Sequence, residues 1–200
     1  TSTITISESG IYSVFIEDDY GCTGEDAHVV TVNPSPLAKI IAEGETEFCE
    51  GGSVVLKSEE YLPDSNDYRW STGHYKESIT VKESGTYTLR VVNDYNCEAR
   101  DTVVVKVYPN PNPVIDAPNE LCEGTEITLK TEKEYSKYLW STGETTSEIA
   151  VDQPGEYYVE VTNKNGCKGK SEIHHVEVYP LPSPKILGPD NFCEGEKVTL

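Results

Sequence analysis

Methionine is absent from this 200-residue chain, and no stretch spaces its apolar residues at the 3.6-residue period of an amphipathic helix. That argues against a helical fold. No apolar run reaches the roughly eighteen residues that a membrane-crossing helix needs. Basic residues are scarce too: 16 Lys and Arg face 35 Asp and Glu, for a net charge of −19. A nucleic-acid backbone demands the opposite balance, so that partner class is set aside. The acidity fits a soluble surface, self-repelling at low salt and much less so in a salty medium.

Catalytic and metal-binding patterns are also missing. The four histidines (His28, His74, His174 and His175) never recur in register, and His174 and His175 point to opposite faces of a strand. There is no Cys-x-x-Cys spacing to support a zinc site. Paired carboxylates are too frequent in so acidic a chain for any pair to stand out as a glycosidase site. Gly51-Gly52, Gly166 and Gly169 read as turn glycines, because a phosphate loop needs a strand-to-helix context. The chain is read as no enzyme.

What the chain does contain is Val, Ile and thirteen Tyr, a set that favours pleated strands. It also contains an internal repeat. Trp70-Ser71-Thr72-Gly73 returns as Trp140-Ser141-Thr142-Gly143, and Ile79, Gly85, Tyr87 and Cys97 return at the same seventy-residue offset as Ile149, Gly155, Tyr157 and Cys167. Matches at so many fixed positions mark true copies. Gly10, Tyr12 and Cys22 align with Gly85, Tyr87 and Cys97, so residues 1–34 read as the second half of a copy. Complete copies follow at 35–108 and 109–179. Residues 180–200, with Cys193-Glu194-Gly195 matching Cys122-Glu123-Gly124, read as the opening strands of another. The chain is accordingly expected to be an excerpt from a longer array.

About seven short strands per copy, separated by polar turns, predict a two-sheet sandwich. Its expected core holds Leu56, Trp70 and Tyr87 in one copy and Leu129, Trp140 and Tyr157 in the next. Alternation also assigns strands to Ile4 and Ile6, to Tyr12, Val14 and Ile16, to 37–41, and to Ile173, Val176 and Val178. Proline-rich joints at 33–36, 109–113 and 180–184 are short and stiff, which predicts an extended, semi-rigid rod.

These motifs resemble a known repeat class. Cys-Glu-Gly-x-x-(Val/Ile)-x-Leu, then Trp-Ser-Thr-Gly-Glu-Thr-Thr, then Gly-x-Tyr-x-Val-x-Val-Thr-Asn-x-x-Gly-Cys is similar to the immunoglobulin-like repeats of giant Bacteroidetes surface proteins. The second copy carries the pattern at 122–129, 140–146 and 155–167. In the first, His74-Tyr75-Lys76 replaces Glu-Thr-Thr, and Asn96 stands where Gly166 does. The resemblance implies all-β tandem immunoglobulin-like domains and an extracellular, bacterial cell-surface location. It further implies type IX export and a spacer role in an adhesin of the SprB gliding-motility kind, with secretion or motility machinery as partner. A rival expectation makes the repeats bind glycan or protein through loops 59–67 and 132–137, with Tyr61, Tyr75 and Tyr135 as aromatic candidates. A third makes them an accessory module of a secreted hydrolase.

Six cysteines in register point to an oxidising compartment. The positions of the usual immunoglobulin disulfide fall on Ser58 and Leu89, or Thr131 and Val159, so that core must be apolar with a buried or half-buried hydroxyl. Given the usual strand order, one cysteine sits at the bottom of each copy (Cys49, Cys122, Cys193) and the other at the top (Cys22, Cys97, Cys167). A closing strand of about ten residues separates these levels by roughly 30 Å, whereas a disulfide needs Cα atoms within about 7 Å. An inter-unit bridge between Cys49 and Cys167 is therefore preferred, and the intra-unit pairs Cys49–Cys97 and Cys122–Cys167 stay open. Calcium is the one cofactor the residues invite, with Glu50 and Asn163 as ligand candidates across a joint.

Overall fold

Every second side chain of the strand at Val54–Ser58 is buried, the period-two signature of a strand with one face in a core. The computed structural model describes residues 3–59, 68–191 and 193–199, and among them it contains strands and turns but no helix. The chain divides into two compact units, Thr1–Val107 and Tyr108–Leu200.

The first unit opens with a hairpin of β1 (Gly10–Glu17) and β2 (Thr23–Val30). Seven strands follow: β3 (Ile40–Glu43), β4 (Glu47–Cys49), β5 (Val54–Ser58), β6 (Tyr68–Trp70), β7 (Ser78–Val81), β8 (Gly85–Val92) and β9 (Glu98–Tyr108). They pair as two sheets, β3-β5-β7 and β4-β9-β8-β6. Leu56, Trp70, Ile79, Leu89, Val91 and Val105 fill the space between, and Tyr87 packs half-buried at its edge. Seven strands in two such sheets make an immunoglobulin-like sandwich.

The second unit repeats the order with β10 (Ile115–Asp116), β11 (Glu120–Cys122), β12 (Ile127–Thr131), β13 (Lys137–Trp140) and β14 (Glu148–Val151). Its last two strands each run in two pieces: β15 (Gly155–Tyr157) with β16 (Val159–Thr162), then β17 (Lys168–Lys170) with β18 (His174–Tyr179). Sheet β10-β12-β14 covers one side of the core, and β11-β18-β15 and β13-β16-β17 lie on the other. Leu129, Trp140, Ile149, Tyr157, Val159 and Val161 are buried between them. The chain therefore folds as tandem immunoglobulin-like β-sandwich domains.

The break in the closing strand has a clear cause. The chain is one residue longer between Cys167 and Tyr179 than between Cys97 and Tyr108. Glu160 pairs with Lys170 but Tyr157 with His174, so the register slips by one. Ser171 fills the resulting β-bulge: its Oγ accepts the Val159 N–H at 3.0 Å, and its own N–H donates to the Val159 carbonyl at 2.9 Å. Ile173, assigned by alternation to the closing strand, consequently lies outside β18 and is 49% exposed.

Other expected strands differ in place or in burial. Ile4 and Ile6 lie in no strand, and the first strand of the first sandwich sits at Ile40–Glu43, later than 37–41. Val14 and Ile16 are on β1, but their apolar face is exposed because a two-stranded sheet has no second layer to cover it. The described residues of 180–199 form no strand, since a ladder needs a partner; they keep only the turn in which Glu196 N–H donates to the Cys193 carbonyl.

Candidate functional site

The recurring motifs are bracing devices, and each can be read from its atoms. In Trp-Ser-Thr-Gly the indole is buried, and Trp70 Nε1 donates to the Lys76 carbonyl at 2.8 Å. Trp140 Nε1 does the same to Thr146 at 2.9 Å. The turn after the indole closes through Gly73 or Gly143, whose positive φ of 82° or 99° other residues adopt only with strain. Ser71 and Ser141 bond the neighbouring strand at Thr88 and Tyr158. All these groups hold the fold together.

Gly-x-Tyr builds a corner of the kind found in immunoglobulin sandwiches. The hydroxyls of Tyr12, Tyr87 and Tyr157 donate to the carbonyls of Glu8, Glu83 and Gln153, each four residues upstream, at 2.8–2.9 Å. Burial, and secondarily the Glu83 carboxylate, raises the Tyr87 phenol above its usual value. In the final hairpin Asp18, Asn93 and Asn163 each accept two backbone N–H groups, from residues two and four ahead. Asn93 and Asn163 also donate to the carbonyls of Pro34 and Pro109. Asn163 Oδ1 would have to release both of its backbone partners to serve calcium. Among the described residues no cluster of three or more His, Cys, Asp or Glu side chains could hold a metal.

The usual disulfide positions hold Ser58, fully buried, and Thr131, half-buried. Cys22, Cys97, Cys122 and Cys193 carry free thiols. Cys97 and Cys122 are one member each of the intra-unit pairs Cys49–Cys97 and Cys122–Cys167, and the second unit separates the two levels widely. Cys122 stands opposite Tyr179, the last residue of the closing strand. Cys167 is buried at the far end of that strand, with its Sγ 3.9 Å from the Tyr108 carbonyl. About twelve residues of strand, roughly 35–40 Å, separate those levels.

Most of loop 59–67, including Tyr61, lies outside the described residues. In loop 132–137, Tyr135 offers no free platform: it packs edge-on against Tyr138, and its N–H donates to the Tyr138 hydroxyl at 2.8 Å. Tyr75 is 48% exposed. Sequence reasoning missed the bulge serine and the asparagine braces. It also missed three arginines whose strand pairing only the register reveals.

No protein-family model and no curated protein matches the chain. Among solved structures, murine CEACAM1b is similar at 13% identity over 72% of this chain and all of its own, with a TM-score of 0.38. An ICAM-5 D1–D4 ectodomain fragment is similar at 12% identity over 86% of this chain and 56% of its own, with a TM-score of 0.43. The N-terminal four immunoglobulin domains of Dscam1 isoform 6.9 are similar at 14% identity over 80% and 51%, with a TM-score of 0.30. The immunoglobulin-like character of each unit rests on its own strand order.

Proposed function

We propose that the chain is a non-catalytic spacer: tandem immunoglobulin-like units of a secreted or cell-surface bacterial adhesin of the type IX-exported, gliding-motility kind. The observation that supports it is the use made of the recurring polar side chains. At equivalent places in successive copies they bond their own backbone, as the tyrosine corners and the Asp18, Asn93 and Asn163 braces do. Recurrence serves construction here, and construction is the business of a spacer.

A disulfide between Cys49 and Cys167 belongs to this reading as a staple across the joint. Two placements within the second unit support it. A strand-entrance cysteine (Cys122) is the ladder partner of the last closing-strand residue, Tyr179. A hairpin cysteine (Cys167) lies against the carbonyl of Tyr108, the residue that ends the preceding copy. Closing the bridge joins two sulfurs and passes two protons and two electrons to an exchanging disulfide, which leaves as two thiols.

Single-molecule stretching under reducing conditions tests the spacer. The expected record has two resisted unfolding events, each releasing about 70 residues or roughly 25 nm of chain. Extension without resistance overturns it. For the staple, non-reducing peptide mapping of the intact chain should yield a Cys49–Cys167 peptide with the other four thiols alkylated. A Cys49–Cys97 or Cys122–Cys167 peptide, or six free thiols, removes it.

A further inference from the structure

The chain contains only three arginines, Arg69, Arg90 and Arg100. They are consecutive ladder partners across β6, β8 and β9: Arg69 opposes Arg90, and Arg90 opposes Arg100. Their row lies on the solvent face of the first unit's larger sheet, since the flanking Tyr68, Trp70, Leu89 and Val91 point into the core. Like charges directly opposite one another destabilise a sheet, so the row works against the fold.

One carboxylate partly offsets this. Glu98 accepts from Arg90 Nε at 2.7 Å and from Arg100 Nη2 at 3.1 Å, and the Arg90 hydrogen bond holds its carboxyl below the usual range. Arg69 makes no ion pair among the described residues. The row therefore keeps a net excess of two positive charges in a chain of net charge −19.

The other copies show that the scaffold does not need it. Seventy residues on, the same three ladder positions hold Leu139, Glu160 and Lys170. In the hairpin that opens the chain, the positions equivalent to Arg90 and Arg100 hold Phe15 and Glu25. A feature that costs stability and is absent from the sister copies calls for a ligand. Guanidinium forks match carboxylate and sulfate oxygens two at a time. The adjoining row is hydroxylic: Ser71 Oγ accepts the Thr88 N–H, and Thr88 Oγ1 lies 3.3 Å from Thr102 Oγ1. The three arginines line a shallow open groove together with Glu98, Ser71 and Thr88, and its one aromatic, Trp70, is buried beneath the surface. A protein partner would want an exposed apolar anchor at the centre, and none lines this groove.

We infer that the Arg69–Arg90–Arg100 row binds an anionic polysaccharide, its carboxylate or sulfate groups on the guanidiniums and its ring hydroxyls on Ser71 and Thr88. The binding is separate from the spacer role and confined to the first unit.

Calorimetric titration of the intact chain at low salt, with polygalacturonate, dextran sulfate, neutral dextran and poly-glutamate, tests this. Saturable binding to polygalacturonate or dextran sulfate is expected, with none to neutral dextran, and the preferred arm identifies the anion. Arg69→Leu, which installs the second unit's residue, should weaken binding about three- to fivefold, the range of one exposed charge contact. It should leave the melting temperature unchanged or raised, because a like-charge neighbour is gone. Arg69→Lys should keep most of the affinity, and Lys170→Leu in the second unit should leave it intact. Poly-glutamate binding as tight as the sugars would replace the polysaccharide with an acidic protein. No binding to either anionic sugar, equal binding to neutral dextran, or an Arg69→Leu chain that binds normally would overturn the inference.

Discussion

Ser58 Oγ is the buried side-chain polar atom without a hydrogen-bond partner among the described residues. A buried hydroxyl in that state costs about 1–3 kcal/mol. Ser58→Ala is therefore expected to stabilise the first unit by about 1 kcal/mol, or roughly 4–8 °C in its thermal melt. Among the described residues Asn96 is the non-glycine residue with positive φ, at 59°, where Gly21 and Gly166 stand in the sister hairpins. Asn tolerates that conformation, and an alanine there should cost about 1 kcal/mol in denaturant titration. Gly169 has a different reason to be glycine: a Cβ there would collide with the Pro111 carbonyl. Gly169→Ala should cost the second unit about 1–3 kcal/mol through the forced shift of the joint backbone.

At the scale of elements, the tyrosine corner ties the entry of β8 or β15 to the turn before it. Tyr157→Phe removes the bond to Gln153 while keeping the ring, and should cost about 0.5–1.5 kcal/mol in urea unfolding. Tyr87 gives the same corner a pH dependence. Its pKa is raised in the folded state, so its stabilising contribution is complete below the unfolded value near 10 and is lost as pH rises through the folded one. Melting temperature followed upward from pH 9 should show that loss, and Tyr87→Phe should remove this part of the slope. The bulge at Ser171 shows why alternation alone misplaced Ile173. One inserted residue reverses the facing of every later side chain on the strand, and nothing local in Ser-Glu-Ile announces it.

For the molecule as a whole, each unit carries its own core around its own tryptophan. Trp140→Ala should cost the second unit about 3–5 kcal/mol. Under reducing conditions the expected melt then splits in two, with near-ultraviolet signal from Trp70 persisting after the second unit has unfolded. A single transition that carries both units down together would contradict separate cores. The same variant should leave anionic-sugar binding at the first unit's arginine row in place below the first transition.

The amino-acid sequence by itself determined the β class, the seventy-residue repeat, the buried tryptophans and the turn glycines Gly51 and Gly166, because these arise from local periodicity and fixed offsets. Gly169, read as a turn glycine, stands instead within β17, opposite Val161. The sequence also limited the usual disulfide site to a buried or half-buried hydroxyl, since no cysteine stands there. Only the tertiary structure decided which residues stand opposite one another. The arginines lie 21 and 10 positions apart along the chain, and strand pairing alone sets them side by side. Register is a property of two strands together, and no single strand contains it.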